Sequence, residues 1–482
     1  MCYDVLIIGA GITGGMLARE LSRYDLSVCL LEKENDVAAG ATKANSGIVH
    51  GGYDPVPGTL KAKLNAEGVE LLFAAAKELQ VPCQRNGSMV CAFGTEAEHE
   101  LLDALLQRGK ENGIAGLSIL SGDEARAMEP HLSTKVSRVL HVPNAGIVSP
   151  YELAIAAVGN AMDNGVELKR NFTVSSIERQ ADGFVVCSDA GECVSGKYFV
   201  NCAGGYADKI AALAGDDFFT TIPRAGEYLL LDQSESGLVS HTLFQCPAKN
   251  GKGILVTPTA HGNLLLGPTA VKVNAPDSVD TTPSGLSQVQ RLAAKTVPDL
   301  NLRQVITSFT GVRASVCGDD FILKASKTVP GLIHAGGIDS PGLTCCVSIA
   351  RYLVEILKQE GLVLTPKQSW SGIRKDLHAF QSMSDDEKDA YIKQNPAYGK
   401  IVCRCELISE GEILDAIHTN PGARDLDGIK RRARSGMGRC QGGFCGPYVM
   451  ELLSRELQIP MESVTKSGGS SHMLTGKVGD AE

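Results

Sequence analysis

The apolar positions at the start of the chain fall in two short runs, Tyr3 to Ile8 and Leu26 to Leu31, separated by glycines and by a stretch, Thr13 to Tyr24, with helical spacing. That order predicts a βαβ unit with parallel strands. Two later runs, Lys197 to Cys202 and Gly331 to Ala335, also pass through glycines into helical patterns, so distant segments are predicted to complete the same sheet. Alternating runs such as Glu227 to Leu231 and Asn263 to Leu266 predict a second, interleaved domain. The first domain is read as residues 1–83, 144–214 and 311–360, and the second as 84–143 and 215–310. After Leu357 the pattern becomes polar, with Pro366, the only tryptophan (Trp370) and a charged run from Ser384 to Asp389 whose serine can cap a short helix. Residues 361–398 are read as a linker, 399–458 as a compact cysteine-bearing unit and 459–482 as a tail, in which Lys466 to Glu482 has too few apolar residues to pack and is expected to be mobile.

A chain of 482 residues has two or three domains as its prior. Its 43% hydrophobic and 21% charged residues are ordinary globular composition, while 53 glycines fit tight turns and close backbone approach to a ligand. A net charge of -9 argues against nucleic-acid binding and leaves small molecules and proteins as partners. The start lacks a basic segment and a small-residue cleavage site, and charges and glycines break every apolar run, so neither a signal peptide nor a membrane span is expected. The expected location is cytoplasmic, peripheral to a membrane only through a partner. In a reducing compartment the 15 cysteines read as thiols or metal ligands rather than disulfides, and Cys29, Cys202, Cys345 and Cys346, in apolar or small-residue runs, read as buried thiols.

Gly9-Ala10-Gly11-Ile12-Thr13-Gly14 ends the first strand and opens a helix. Gly9 can make the tight turn, Gly11 can admit a pyrophosphate and Gly14 lets helix and strand pack closely, while the helix N-terminus faces the phosphates. Glu32 ends the second strand 18 residues after Gly14, where its carboxylate can accept from both ribose hydroxyls and would repel a 2′-phosphate. The choice between FAD and NAD rests on two further segments. The loop Ala41 to Tyr53, rich in small residues, can lie flat against a ring system, and the turn Gly336 to Leu343 leads into a helix, Thr344 to Leu357, whose start would stabilise the charge of a reduced flavin.

These features, with Asn45-Ser46-Gly47, His50-Gly51-Gly52, Asn201-Cys202-Ala203-Gly204 and Gly311-Val312-Arg313, make the first 360 residues resemble the FAD-dependent glycerol-3-phosphate dehydrogenase and L-2-hydroxyglutarate oxidase group. The resemblance implies an α/β fold: a glutathione-reductase-like, FAD-binding Rossmann domain with an interleaved α+β substrate domain and a small C-terminal cysteine-cluster domain. It implies FAD contacts from Gly9, Gly11, Ile12, Thr13 and Gly14 at the first turn and from Glu32 and Lys33 at the end of the second strand. Thr42, Asn45, Ser46, Gly47 and Val49 follow in the loop, then Ala203 and Gly204, and Gly337, Gly342, Leu343 and Thr344 at the last turn. It also places a small anionic hydroxy substrate over the flavin. Arg313 aligns with a substrate-anion arginine, Tyr228 lies on a strand that borders the substrate, and His50, beside the flavin, is a candidate base, a point of covalent flavin attachment, or a packing residue. His241 and His261 are alternative bases. Where glycerol-3-phosphate dehydrogenases often carry an arginine just after His-Gly-Gly, this chain has Tyr53-Asp54, and Pro57 to Lys63 looks more like the 2-hydroxyglutarate group.

Cys403-Arg404-Cys405 and Cys440-Gln441-Gly442-Gly443-Phe444-Cys445 give four thiols that can hold an iron–sulfur cluster or zinc. A C-x-C pair is short for a zinc knuckle, and Ile401 to Leu457 resembles the bacterioferritin-associated-ferredoxin-like module that binds a 2Fe–2S cluster. The neighbouring run Lys430, Arg431, Arg432 and Arg434 reads as a solvated helix face, with Arg439, next to Cys440, the one basic residue expected to offset cluster charge. The whole reads as a flavin dehydrogenase with glycerol 3-phosphate as leading substrate, passing electrons through the cluster to a flavoprotein or quinone-linked subunit. L-2-hydroxyglutarate, another 2-hydroxy acid or an amine is the alternative substrate, and a relay subunit without a substrate of its own is the alternative class.

Overall fold

A computed structural model describes residues 2–247, 253–318 and 320–476. Its first domain is an eight-stranded sheet. The strand Cys2–Ile8 lies parallel between Val28–Leu31 and Cys193–Asn201, and Glu167–Lys169 extends the sheet beyond Val28–Leu31. The far side of Cys193–Asn201 is shared: its start pairs antiparallel with Gly183–Ser188, and its end pairs parallel with Leu332–Gly336. All of Val5 to Leu6 and Val28 to Leu31 are apolar and buried, as strands covered on both faces require. The helix Ile12–Leu21 covers one face and crosses the helix Pro150–Asp163 where Gly15 meets Val158, so that a Cβ at Gly15 would stand 2.9 Å from the valine methyl.

The second domain is a nine-stranded sheet built around Thr221–Leu231, which pairs antiparallel along its whole length with Val305–Val316. Strands Leu255–Pro258 and Leu264–Gly267 form a hairpin beside it, and Thr242–Gln245, Ser88–Ala92, Arg138–Val142 and Ser118–Ser121 continue the sheet. The strand Val305–Val316 runs unbroken across the boundary expected at 310, so Arg313 is carried by the substrate-domain sheet.

The cysteine unit packs the helices Glu410–His418, Leu426–Ala433 and Gly446–Leu457 around Ile413, Ile417, Ile429, Val449 and Leu453. The segment expected as a linker is anchored to the first domain. Trp370 lies under the Arg23 guanidinium, 3.8 Å from its ring centre, and donates its indole N–H to Ser22, and Arg374 is buried. Ser384 caps the helix Asp385–Gln394 with a reciprocal bond from Glu387. The tail also departs from expectation. Val464 is fully buried, and Lys466 donates its backbone N–H to Ser471 in a folded turn, while residues 477–482 lie outside the described part of the chain.

The cysteine reading needs one correction. Cys187 and Cys193 form a disulfide, because the antiparallel register places them directly opposite each other on neighbouring strands. Cys29, Cys202, Cys345 and Cys346 are buried free thiols. Among the described residues no helix is long and apolar enough to cross a membrane.

Candidate active site and cofactor sites

The first turn depends on glycine for its close backbone packing. Gly9 has φ +100 and a Cβ there would lie 2.5 Å from the Cys202 carbonyl oxygen, while a Cβ at Gly14 would overlap the Gly9 carbonyl oxygen, so both positions require glycine. Gly11, the N-cap of the first helix, brings no side-chain cap, and a Cβ there would meet only Thr42 Oγ1, at 3.2 Å. Thr42 Oγ1 also accepts from the Ile12 N–H at 3.0 Å, tying the loop after the second strand to the helix start. Glu32 accepts from the Ala10 N–H at 2.8 Å and the Glu34 N–H at 3.0 Å, and burial pushes its carboxyl up to about 6.

These groups open onto a cavity of about 1810 Å³ that runs between the two sheets. Of the expected cofactor residues, Gly9, Gly11, Ile12, Thr13, Glu32, Lys33, Thr42, Asn45, Ser46, Gly47, Ala203, Gly204, Gly342 and Leu343 line it. Gly14, Val49, Gly337 and Thr344 do not reach it and shape the wall from behind. Thr344 Oγ1, for example, accepts the His50 N–H at 2.8 Å. The glycine of Gly311-Val312-Arg313 has a plain cause: a Cβ there would overlap the Ala44 carbonyl, so the long strand can touch the Ala41–Tyr53 loop only through glycine.

At the substrate-domain side, Tyr228 is buried, stacks on Phe309 with ring centres 4.8 Å apart, and lines the cavity together with Ser46 and Arg313. His50 lines the same cavity. Its Nε2 is 3.2 Å from Ser340 Oγ, its carbonyl accepts from Asn65 at 2.8 Å, and its ring tilts against Phe244. Lys61 Nζ lies 2.7 Å from Asp339, whose other oxygen accepts from Ser315. Lys61, Phe244, Phe309 and Asp339 were not singled out by the sequence, since a lysine or phenylalanine carries no motif of its own. Of the alternative bases, His241 is bound to Glu129 at 2.6 Å outside the cavity. His261 reaches the cavity wall but gives its Nε2 to Glu152 (2.8 Å), which also meets His378 Nε2 at 3.3 Å. These three residues tie the first domain, the second domain and the 361–398 segment together.

With this geometry in place, comparison with known proteins decides the family. The family model described as FAD dependent oxidoreductase matches residues 4–356. The chain belongs to that family. A second model, BFD-like [2Fe-2S] binding domain, matches residues 401–455. A "Glycerol 3-phosphate dehydrogenase" of Caloramator mitchellensis is 44% identical over 98% of both chains. The structure titled "Dithionite reduced L-alpha-Glycerophosphate Oxidase from Mycoplasma pneumoniae with FAD bound" superposes with a TM-score of 0.74 at 33% identity, covering 78% of this chain and 98% of that one. The human "L-2-hydroxyglutarate dehydrogenase, mitochondrial" is 27% identical over 74% of this chain and 89% of its own. The protein is an FAD-dependent oxidoreductase with a 2Fe–2S-binding domain, and the glycine-lined helix start facing the cavity fits a dinucleotide.

The four cysteines of that second domain meet two by two, Cys403 with Cys445 and Cys405 with Cys440. The Cys445 hydrogen bond lowers the Cys403 thiol to about 5, and the backbone N–H groups of Gly436, Glu406 and Cys405 point at the same sulfur. Cys445 keeps its proton and is raised in return, while the Phe444 N–H lowers Cys440. Two of these thiols, Cys403 and Cys440, are thus drawn toward the thiolate form that a metal cluster needs.

The basic run is the clearest departure from the sequence reading. It is no solvated face: Arg431, Arg432 and Arg434 are buried, Arg432 almost completely. Asp36, in the loop after Glu32, takes Arg432 on both oxygens (2.6 and 2.8 Å) and Arg431 at 2.7 Å. Arg434 binds Glu406 at 2.9 Å and Asn263 at 3.2 Å. Arg439, expected to serve the cluster, is mostly exposed and bonds Gln304 and Asp232 instead. A helix of basic residues cannot reveal from sequence that its counter-charge lies about 395 positions earlier.

Proposed function

We propose that the protein oxidises sn-glycerol 3-phosphate to dihydroxyacetone phosphate and passes the electrons through its 2Fe–2S cluster to a protein acceptor. The observation that carries this is the full-length likeness, cysteine unit included, to the Caloramator protein named a glycerol 3-phosphate dehydrogenase. The cavity supports it. Arg313, which lines the cavity with Tyr228, offers a planar fork for a phosphate or carboxylate. His50, held through its backbone by Asn65 and Thr344 and through Nε2 by Ser340, can take the proton of the substrate hydroxyl at Nε2 when Ser340 orients it. Phe244 and the Tyr228–Phe309 stack keep water from that corner. FAD, when bound, supplies the acceptor for the two electrons and the carbinol hydrogen. The cluster supplies one-electron transfer, and next to its Cys405 the side chains of Leu407 and Phe444 are exposed, which suits docking of an electron-accepting flavoprotein or quinone-linked subunit.

A second reading, L-2-hydroxyglutarate, has its own support in the Tyr53-Asp54 departure: Tyr53 is buried, so no cation stands where the phosphate-recognising group often has one. The test is an anaerobic visible spectrum titrated with each substrate. Bleaching of the flavin bands by glycerol 3-phosphate, followed by the cluster bands, is the expected result. Bleaching by L-2-hydroxyglutarate alone would replace the substrate, and bleaching by neither in protein loaded with both cofactors would leave a relay subunit.

A further inference from the structure

We propose that the C-terminal cluster domain completes the dinucleotide site, with Lys430 and Arg431 joining Lys43 to hold the diphosphate of FAD. This rests on the FAD site and not on the choice of substrate.

The helix Leu426–Ala433 lies directly on the loop that follows Glu32. Asn35 donates its amide to Asp425 at 2.6 Å, and Arg431 and Arg432 converge on Asp36. Lys430 and Arg431 therefore line the same cavity as Gly11, Ile12 and Thr42. Lys43 follows Thr42, the residue whose hydroxyl touches the first N–H of the phosphate-facing helix. Three cations from two domains thus line the cavity onto which that helix N-terminus opens.

Their charge is only partly matched by the protein. One carboxylate, Asp36, serves two guanidinium groups, and Arg431 Nε is buried without a hydrogen-bond partner. Lys43 and Lys430 form no ion pair among the described residues, and Lys430 Nζ donates only to the neutral Gln441 Oε1, at 3.1 Å. Burial and then Arg431 lower the Lys43 ammonium against the pull of Asp427, Glu34 and Asp425, and burial lowers Lys430 against that of Asp427, so in this partly dry cleft the nearby carboxylates do not offset the cost of holding the cations. Cations without an ion-pair partner beside a helix N-terminus suit an anion with more than one charge, and the dinucleotide diphosphate is that group. The FAD of this protein is then gripped by a domain that the Mycoplasma oxidase, matching 78% of this chain, does not span.

The test uses the full chain stripped of flavin, with FAD binding measured by fluorescence quenching over a range of salt. Lys430→Gln and Lys43→Gln are each expected to weaken FAD about tenfold at low salt and to flatten the salt dependence, with Lys430→Arg restoring both. Unchanged FAD affinity in Lys430→Gln overturns the proposal, whether Lys43→Gln is affected or not, because the N-terminal domain would then suffice. A raised KM for the phosphate substrate with FAD affinity intact overturns it too, by assigning the cations to substrate. Cluster absorbance, followed in parallel, detects disturbance of the Gln441 loop, and cluster loss without weaker FAD binding counts against the proposal.

Discussion

Replacing Asp36 by asparagine keeps the shape of the buried junction and removes the carboxylate that both of its arginines bond. Both oxygens of Asp36 are engaged, at 2.6 to 2.8 Å, by two arginines, and the Asp36 and Arg432 side chains are each only 1% exposed. Deleting the charged partner of such a cluster leaves two buried guanidinium groups without the carboxylate they bond, which costs about 3–5 kcal/mol, or roughly two to four powers of ten in the equilibrium between docked and released cluster domain. The single tryptophan reports on this, because Trp370 belongs to the segment that joins the domains and sits on Arg23. Urea unfolding followed by its fluorescence, with proteolysis of the 361–398 segment as a second readout, should show a lower midpoint and faster cleavage for Asp36→Asn. Asp103→Asn, at the exposed pair with Arg138, is the control and should cost under about 1 kcal/mol. The linkage has a definite sign. Burial opposes ionisation, yet Arg432 and Arg431 hold the Asp36 carboxyl well below its ordinary 3.8, so this stabilisation is present above about pH 4 and lost as pH falls further. A variant no less stable than the control, or one with unchanged acid sensitivity, would refute the reasoning.

Four further outcomes are expected. Arg313→Ala should raise KM for the anionic substrate by about two powers of ten while bound FAD stays at the parent level, since a charge-assisted bidentate contact is lost. Gly311→Ala should lose flavin, measured as the ratio of flavin to protein absorbance, because its Cβ would overlap the Ala44 carbonyl and push the cofactor loop away. Glu32, raised to about 6 by burial, must be ionised to accept ribose hydroxyls, so FAD affinity of the stripped protein should fall below pH 6, and Glu32→Gln should remove that inflection. In the Glu152, His261 and His378 tie, burial opposes both charges, but Glu152 holds the His378 imidazole above its ordinary 6.5 while the two histidines lower Glu152 below 4.5. The His378 contribution is full below pH 6.5 and fades as pH rises through its raised value, whereas that of Glu152 is lost only in acid. Melting temperatures should therefore fall between pH 6 and 8.5 in the parent and change less in Glu152→Gln.

Local chemistry made much of this molecule legible from its sequence. The first βαβ unit, its three glycines and Glu32 are consecutive features whose purpose follows from backbone sterics and the helix dipole, and residues within 32 positions of the start already specify them. The same holds for the cysteine spacing and for caps such as Ser384. Long-range pairing stayed hidden, because it depends on which surfaces come to face each other. The basic helix at 426–433 looks solvated in sequence and becomes a buried clamp only because the fold brings Asp36 beneath it. Trp370 and Arg374 turn a polar stretch into a strap for the same reason, and the opposed register of two strands converts Cys187 and Cys193 from thiols into a disulfide. Sequence periodicity reports whether a position is buried on its own element. The charge, partner and depth of a side chain are set by elements hundreds of residues away, and only tertiary packing decides those.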